Sequence, residues 1–110
     1  MTIKKKSRLE KRSDESLAFL HTLTDGPITF GQLLLSLRKS EEATQEEFAV
    51  RLGISKHHLS DIEHERRVVS PTRAALFAKK LGYSEKRFIQ LAIQAALVKD
   101  GFHYTVLLEA

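Results

Sequence analysis

Apolar residues recur along residues 28–99 with the period of an α-helix, and the pattern restarts five times. Phe30, Leu33, Leu34 and Leu37 share one face of a first helix. Phe48, Ala49 and Leu52 mark a second, Leu59 and Ile62 a third, and Ala74, Phe77, Ala78 and Leu81 a fourth. Thr29, Ser55, Ser70 and Ser84 stand as hydroxyl caps ahead of these runs. Each has an apolar residue just before it and another at the fourth helical position: Ile28 and Leu33, Ile54 and Leu59, Val69 and Ala74, Tyr83 and Phe88. The hydroxyl satisfies a free amide of the first turn, and the apolar pair pins the entering chain to the helix. Thr44 lacks a strong apolar pair, but Glu47 three residues on completes a reciprocal capping box, as Gln32 does for Thr29. Pro71 falls at a first helical position, where its missing N–H costs nothing. Gly53 and Gly82 sit where helices should stop, because glycine enters the left-handed conformation cheaply.

The fifth helix, from about Ser84 to Lys99, carries two apolar stripes. Phe88, Leu91, Ala92 and Ala95 face a core, which leaves Ile89, Ile93, Ala96 and Leu97 on an adjoining face. Such surplus apolar surface either packs on a second copy of the chain, giving a homodimer, or is covered by the N-terminal segment. After Asp100 and Gly101 the composition turns β-prone over residues 102–108 (FHYTVLL). A strand there has no obvious partner within the chain, so it pairs with another molecule or frays. At the other end, Ser13, Asp14 and Glu15 precede Leu17, Phe19, Leu20 and Leu23 in a short helical pattern that Thr24, Asp25, Gly26 and Pro27 close. The expected division is an N-terminal extension over 1–27, an all-α five-helix domain over 28–99, and a tail or strand over 100–110.

With 110 residues, 42% hydrophobic and 29% charged, the chain suits one globular domain with one modest core. It has no cysteine, which excludes disulfides, a thiol nucleophile and thiolate metal sites. No stretch reaches the length of a signal-peptide core or a membrane span, so a soluble, cytoplasmic protein is expected. The net charge of +4 is confined to the start of the chain: six basic residues stand against Glu10 up to Arg12, leaving twelve basic and thirteen acidic residues elsewhere. That basic arm either adds sequence-independent attraction to phosphates or is a solvated leader.

Residues 44–64 carry the chemistry. A short helix, a glycine turn and a capped second helix bring two amphipathic helices together and leave the second prominent. Leu59 and Ile62 point inward, while Lys56, His57, Ser60, Asp61 and His64 form a polar outward face of the kind that enters a major groove. Leu37-Arg38, Thr44-Gln45-Glu46-Glu47-Phe48-Ala49, Leu52-Gly53-Ile54-Ser55, Leu59-Ser60-Asp61-Ile62-Glu63 and Leu81-Gly82-Tyr83 are the diagnostic segments, spread over more than half the chain. On these residues, the segment from 30 to about 92 resembles the helix-turn-helix family of phage Cro and repressor proteins, the XRE-like bacterial regulators. The resemblance implies a lambda-repressor-like fold, binding of a dimer to palindromic operator DNA, and usually repression.

Carried over residue by residue, it implies that Gln45 touches a phosphate, with Ser55 capping the reading helix at the DNA. Lys56 and His57 would lie at base edges, Ser60 and Asp61 just behind them and His64 further along. Arg66 and Arg67 would approach the backbone from the loop that follows. Lys56 suits guanine O6 and N7, and Asp61 suits cytosine N4. One departure stands out: the family usually has glycine where this chain has Glu65, at a left-handed turn. Glu63 and Glu65 are also expected near the phosphate path, where they would oppose binding. Two other readings compete. One is an antitoxin that neutralises a protein toxin through its terminal segments; the other is an interaction module without DNA binding. No catalytic residue or cofactor is expected, since there is no glycine-rich phosphate loop. His57, Asp61 and His64 share a helical face at i, i+4 and i+7, but a polar face is demanded for DNA in any case, so no metal is assigned.

Overall fold

The computed structural model describes residues 28–109. The expected basic arm and the helical pattern from Ser13 to Leu23 lie outside the described residues. Among the described residues five helices follow one another: α1 Phe30–Ser40, α2 Gln45–Leu52, α3 Lys56–Glu63, α4 Pro71–Leu81 and α5 Glu85–Lys99. The fold is all-α. Their starts follow the sequence pattern closely. Thr29 and Thr44 form complete capping boxes with Gln32 and Glu47, and the Ser55 and Ser70 hydroxyls accept from His58 N and Arg73 N. Ser84 is the exception, preceding α5 without a side-chain cap bond.

All five helices end alike. In each, the first or second residue after the helix takes the left-handed conformation and amides of the turn reach back to the last carbonyls, as when Gly53 N donates to Val50 O (3.1 Å) and Ile54 N to Ala49 O (3.0 Å). Gly53, Gly82 and Gly101 supply the positive φ after α2, α4 and α5. Glutamates supply it after α1 and α3, with φ of 56° at Glu42 and 62° at Glu65. A left-handed turn does form where the glycine is missing, so Glu65 carries backbone strain of roughly 1 kcal/mol.

One apolar core joins the helices. Leu33, Leu34, Leu37, Phe48, Leu52, Leu59, Ile62, Phe77, Leu81 and Phe88 are almost fully buried. Phe30 meets Phe88 edge-on at 5.8 Å between ring centres. α4 and α5 form the most extensive pair, and α3 is braced by both α1 and α2. The α1–α3 approach is close enough to require Gly31, since a Cβ there would run into the Ile62 carbonyl and the Glu65 carboxyl.

The β-prone tail forms no strand; none occurs among the described residues. With no neighbouring edge to pair with, its backbone is met by two glutamines of α5. Gln94 donates to Tyr104 O (2.7 Å) and accepts from Val106 N (2.7 Å), and Gln90 donates to Val106 O (2.9 Å). Two side-chain amides thus stand in for the partner strand.

Candidate nucleic-acid interface

α2 and α3 meet through the Gly53 turn, and Lys80 of α4 closes the corner by donating to Leu52 O at 3.2 Å. α3 then divides cleanly. Leu59 and Ile62 are buried, while Ser55, Lys56, His57 and His64 are exposed and Ser60 and Asp61 half-buried. The His57 side chain is 87% exposed and that of Lys56 58%. Lys56 Nζ lies 3.6 Å from Glu46 of α2, and the two residues line a shallow cleft of about 520 Å³ with Arg38, Thr44 and Gln45.

Glu63 departs from its expected position. It is turned inward with its side chain only 1% exposed, so it does not stand on the phosphate path. Its carboxylate accepts from Arg38 Nε at 2.7 Å and Arg38 Nη2 at 3.1 Å, and from Gln45 Nε2 at 3.0 Å. The spacing carried the signal: Leu59, Ile62 and Glu63 stand at i, i+3 and i+4, which places Glu63 on the buried stripe. This ion pair ties α1 to the end of α3 and fixes the side chain of Gln45 at the first position of α2. Glu65 is exposed.

Behind the outward face runs a second set of contacts. Arg66 Nε donates to Asp61 Oδ1 at 2.9 Å, which holds the Asp61 carboxyl below the usual carboxylate range. His57 Nε2 is 3.6 Å from the other Asp61 oxygen. His64 turns its ring back, with Nδ1 donating to Ser60 O at 2.8 Å, so it does not converge with His57 and Asp61. Among the described residues no three His or carboxylate side chains come together as a metal site. His58, absent from the sequence expectations, accepts from Arg67 Nη1 at 3.4 Å and Arg73 Nη1 at 3.5 Å. Partial burial, then the positive charge of Arg67 and Arg73, pushes its pKa below the ordinary histidine value.

On α5, Ile89, Ile93, Ala96 and Leu97 are half-buried within the single chain, so that face is partly covered already.

A short helix, a left-handed glycine turn and a second helix with a wet outer face together define a helix-turn-helix unit, the class of fold that presents one helix to DNA. A helix-turn-helix domain family matches residues 31–92, more than half of the chain. The chain belongs to this family, in its Cro and repressor-like (XRE) branch, and is a DNA-binding regulator of that type. No curated protein and no solved structure matches it. No helix among the described residues is long and apolar enough to cross a membrane.

Proposed function

We propose that the chain binds operator DNA sequence-specifically as a homodimer and represses its own operon, with residues 28–99 as the DNA-binding domain. The observation that carries this reading is the face of α3: polar, exposed at Lys56 and His57, and backed by a rigid apolar core. Lys56 and His57 read base edges in the major groove, Ser60 and Asp61 flank them, and Ser55 and His64 mark the two ends of the contact. Gln45, Arg66 and Arg67 meet the phosphates on either side. The two-fold contact runs through Ile89, Ile93, Ala96 and Leu97 of α5, and the wet face of α3 remains outside it. The inward turn of Glu63 favours this reading over a module without DNA binding, because it removes one of two anions from the phosphate path.

Footprinting on the gene's own upstream region tests the proposal. Lys56→Ala should weaken specific binding by about 1–3 kcal/mol while leaving the fold intact. Unchanged operator binding would show that α3 is not the reading helix.

A second role, neutralising a protein toxin, draws support from the tail, where Tyr104 and Leu107 are 71% and 79% exposed and Phe102 is half exposed. Large apolar side chains in that number invite a protein partner. A native pull-down that recovers a neighbouring gene product from the wild type but not from Tyr104→Ser/Leu107→Ser would establish it; recovery of the homodimer alone would exclude it.

A further inference from the structure

A cavity of about 470 Å³ lies between α5, the start of α1, the loop after α3 and the tail. Its floor is apolar, formed by Ile28, Val68, Leu91, Ala95 and Val106, with the exposed Val98 at its edge. The tail forms one wall, held in place by the Gln90 and Gln94 amides. The rim is cationic, with Arg66, Arg67, Arg87 and Lys99 against Glu65 alone. Thr29 also lines the cavity, so the positive end of α1, which has no acid in its first turn, adds to the same field.

An apolar floor of this size under a ring of cations matches one kind of ligand. Volumes of about 300–1,000 Å³ are those of small-molecule sites. At about 30 Å³ for a water-sized unit, the cavity takes roughly fifteen such groups. We infer that it binds a small anionic amphiphile, a carboxylate on an apolar chain of medium length, and that this ligand opposes DNA binding.

The opposition follows from the loop, and it rests on the proposed role of Arg66 and Arg67 at phosphates. Arg66 is bonded to Asp61, and Arg67 to His58, both on α3. A carboxylate at the rim draws these guanidiniums toward the cavity, away from the DNA side. It also releases Asp61 as a free anion on the reading face. By linkage, DNA weakens the ligand by the same factor as the ligand weakens DNA.

Decanoate serves as the probe, with decanol as the neutral control, titrated into the full 110-residue chain and followed by amide NMR shifts. Decanoate should perturb Ala95, Val98 and Val106, and decanol should bind at least tenfold more weakly. Ala95→Phe, which fills the floor, should abolish binding; Arg87→Glu/Lys99→Glu, which alters only rim charges, should weaken it tenfold or more. Saturating decanoate should reduce operator affinity at least fivefold in the wild type and not in Ala95→Phe. Absence of decanoate binding, equal binding of decanol, or indifference to both variants overturns the site. These readings need no DNA, so they stand apart from the Lys56→Ala footprint. Decanoate binding without effect on a chain that still protects its operator overturns the coupling.

Discussion

Replacing Arg38 by methionine leaves the Glu63 carboxylate inside the fold with one hydrogen bond in place of three. The Glu63 side chain is 1% exposed and that of Arg38 14%, so water does not readily take over the lost contacts. Arg38 also donates to Ala43 O at 3.1 Å, at the left-handed turn that ends α1. Stranding one member of a buried pair costs about 3–5 kcal/mol. Total stability for such a domain is about 5–15 kcal/mol. At about 4–8 °C for each kcal/mol, the melting temperature should fall by roughly 12–40 °C. The double variant Arg38→Met/Glu63→Met removes the stranded charge and supplies apolar surface, so it should recover most of the loss. Urea denaturation of the wild type, both single variants and the double variant yields the coupling, expected above about 2 kcal/mol. A cost for Arg38→Met below about 1 kcal/mol, or a double variant as unstable as the sum of the singles, would refute the reasoning.

Glu65→Gly should stabilise the domain by about 1 kcal/mol and Glu65→Ala should not, since only glycine relieves a φ of 62°; equal melting temperatures for the two variants would mean the turn is unstrained. Gly31→Ala should destabilise by about 1–3 kcal/mol, because its methyl group meets the Ile62 backbone carbonyl, and a wild-type denaturation midpoint would show that α1 and α3 separate freely. His58 has a depressed pKa in the folded chain, so the unfolded state binds more protons between that value and about 6.5. Its contribution is therefore complete above about pH 6.5 and lost as the pH falls through the folded value. The His58 ring resonance should titrate below about 6.5, and His58→Gln should flatten stability across that window; a ring titrating at that value or above would contradict this.

The helix starts were legible because capping is local: a hydroxyl, its apolar flanks and an acid or amide three residues on are all visible in sequence. The helix ends were only partly legible. Gly53 and Gly82 announce a left-handed residue, whereas Glu42 has no feature that separates it from any exposed glutamate. Glu63 was misplaced because its charge suggested solvent while its spacing from Leu59 and Ile62 indicated the core. The spacing prevailed, since Arg38 lay within reach to complete the pair. The tail, left open between a strand and an unpaired end, was only partly legible for a different reason. Strand formation depends on a neighbouring edge, and residues 102–108 reveal their own preference but not that two glutamines of α5 occupy their hydrogen-bonding groups.

The internal contacts of α3 also rank its outward residues by what DNA must displace to use them. Arg66 and Asp61 are bonded to each other, His64 is turned back on Ser60, and Gln45 is committed to Glu63. Lys56 has only an exposed partner at 3.6 Å, worth about 0–1 kcal/mol, and His57 extends into solvent. On the proposed reading, base recognition therefore falls first to Lys56 and His57, whose present contacts are weakest. The bonded residues around them hold one another: Arg66 pairs with the Asp61 carboxylate, and Gln45 is pinned to Glu63 where α2 begins. If Arg66 meets a phosphate as proposed, it leaves Asp61 in the same step, and the strongest complexes should be those in which a cytosine amine or His57 takes over that carboxylate. On that reading, preference for particular bases at Asp61 should depend on its bond to Arg66 within the protein, not only on the side chain that reaches the groove.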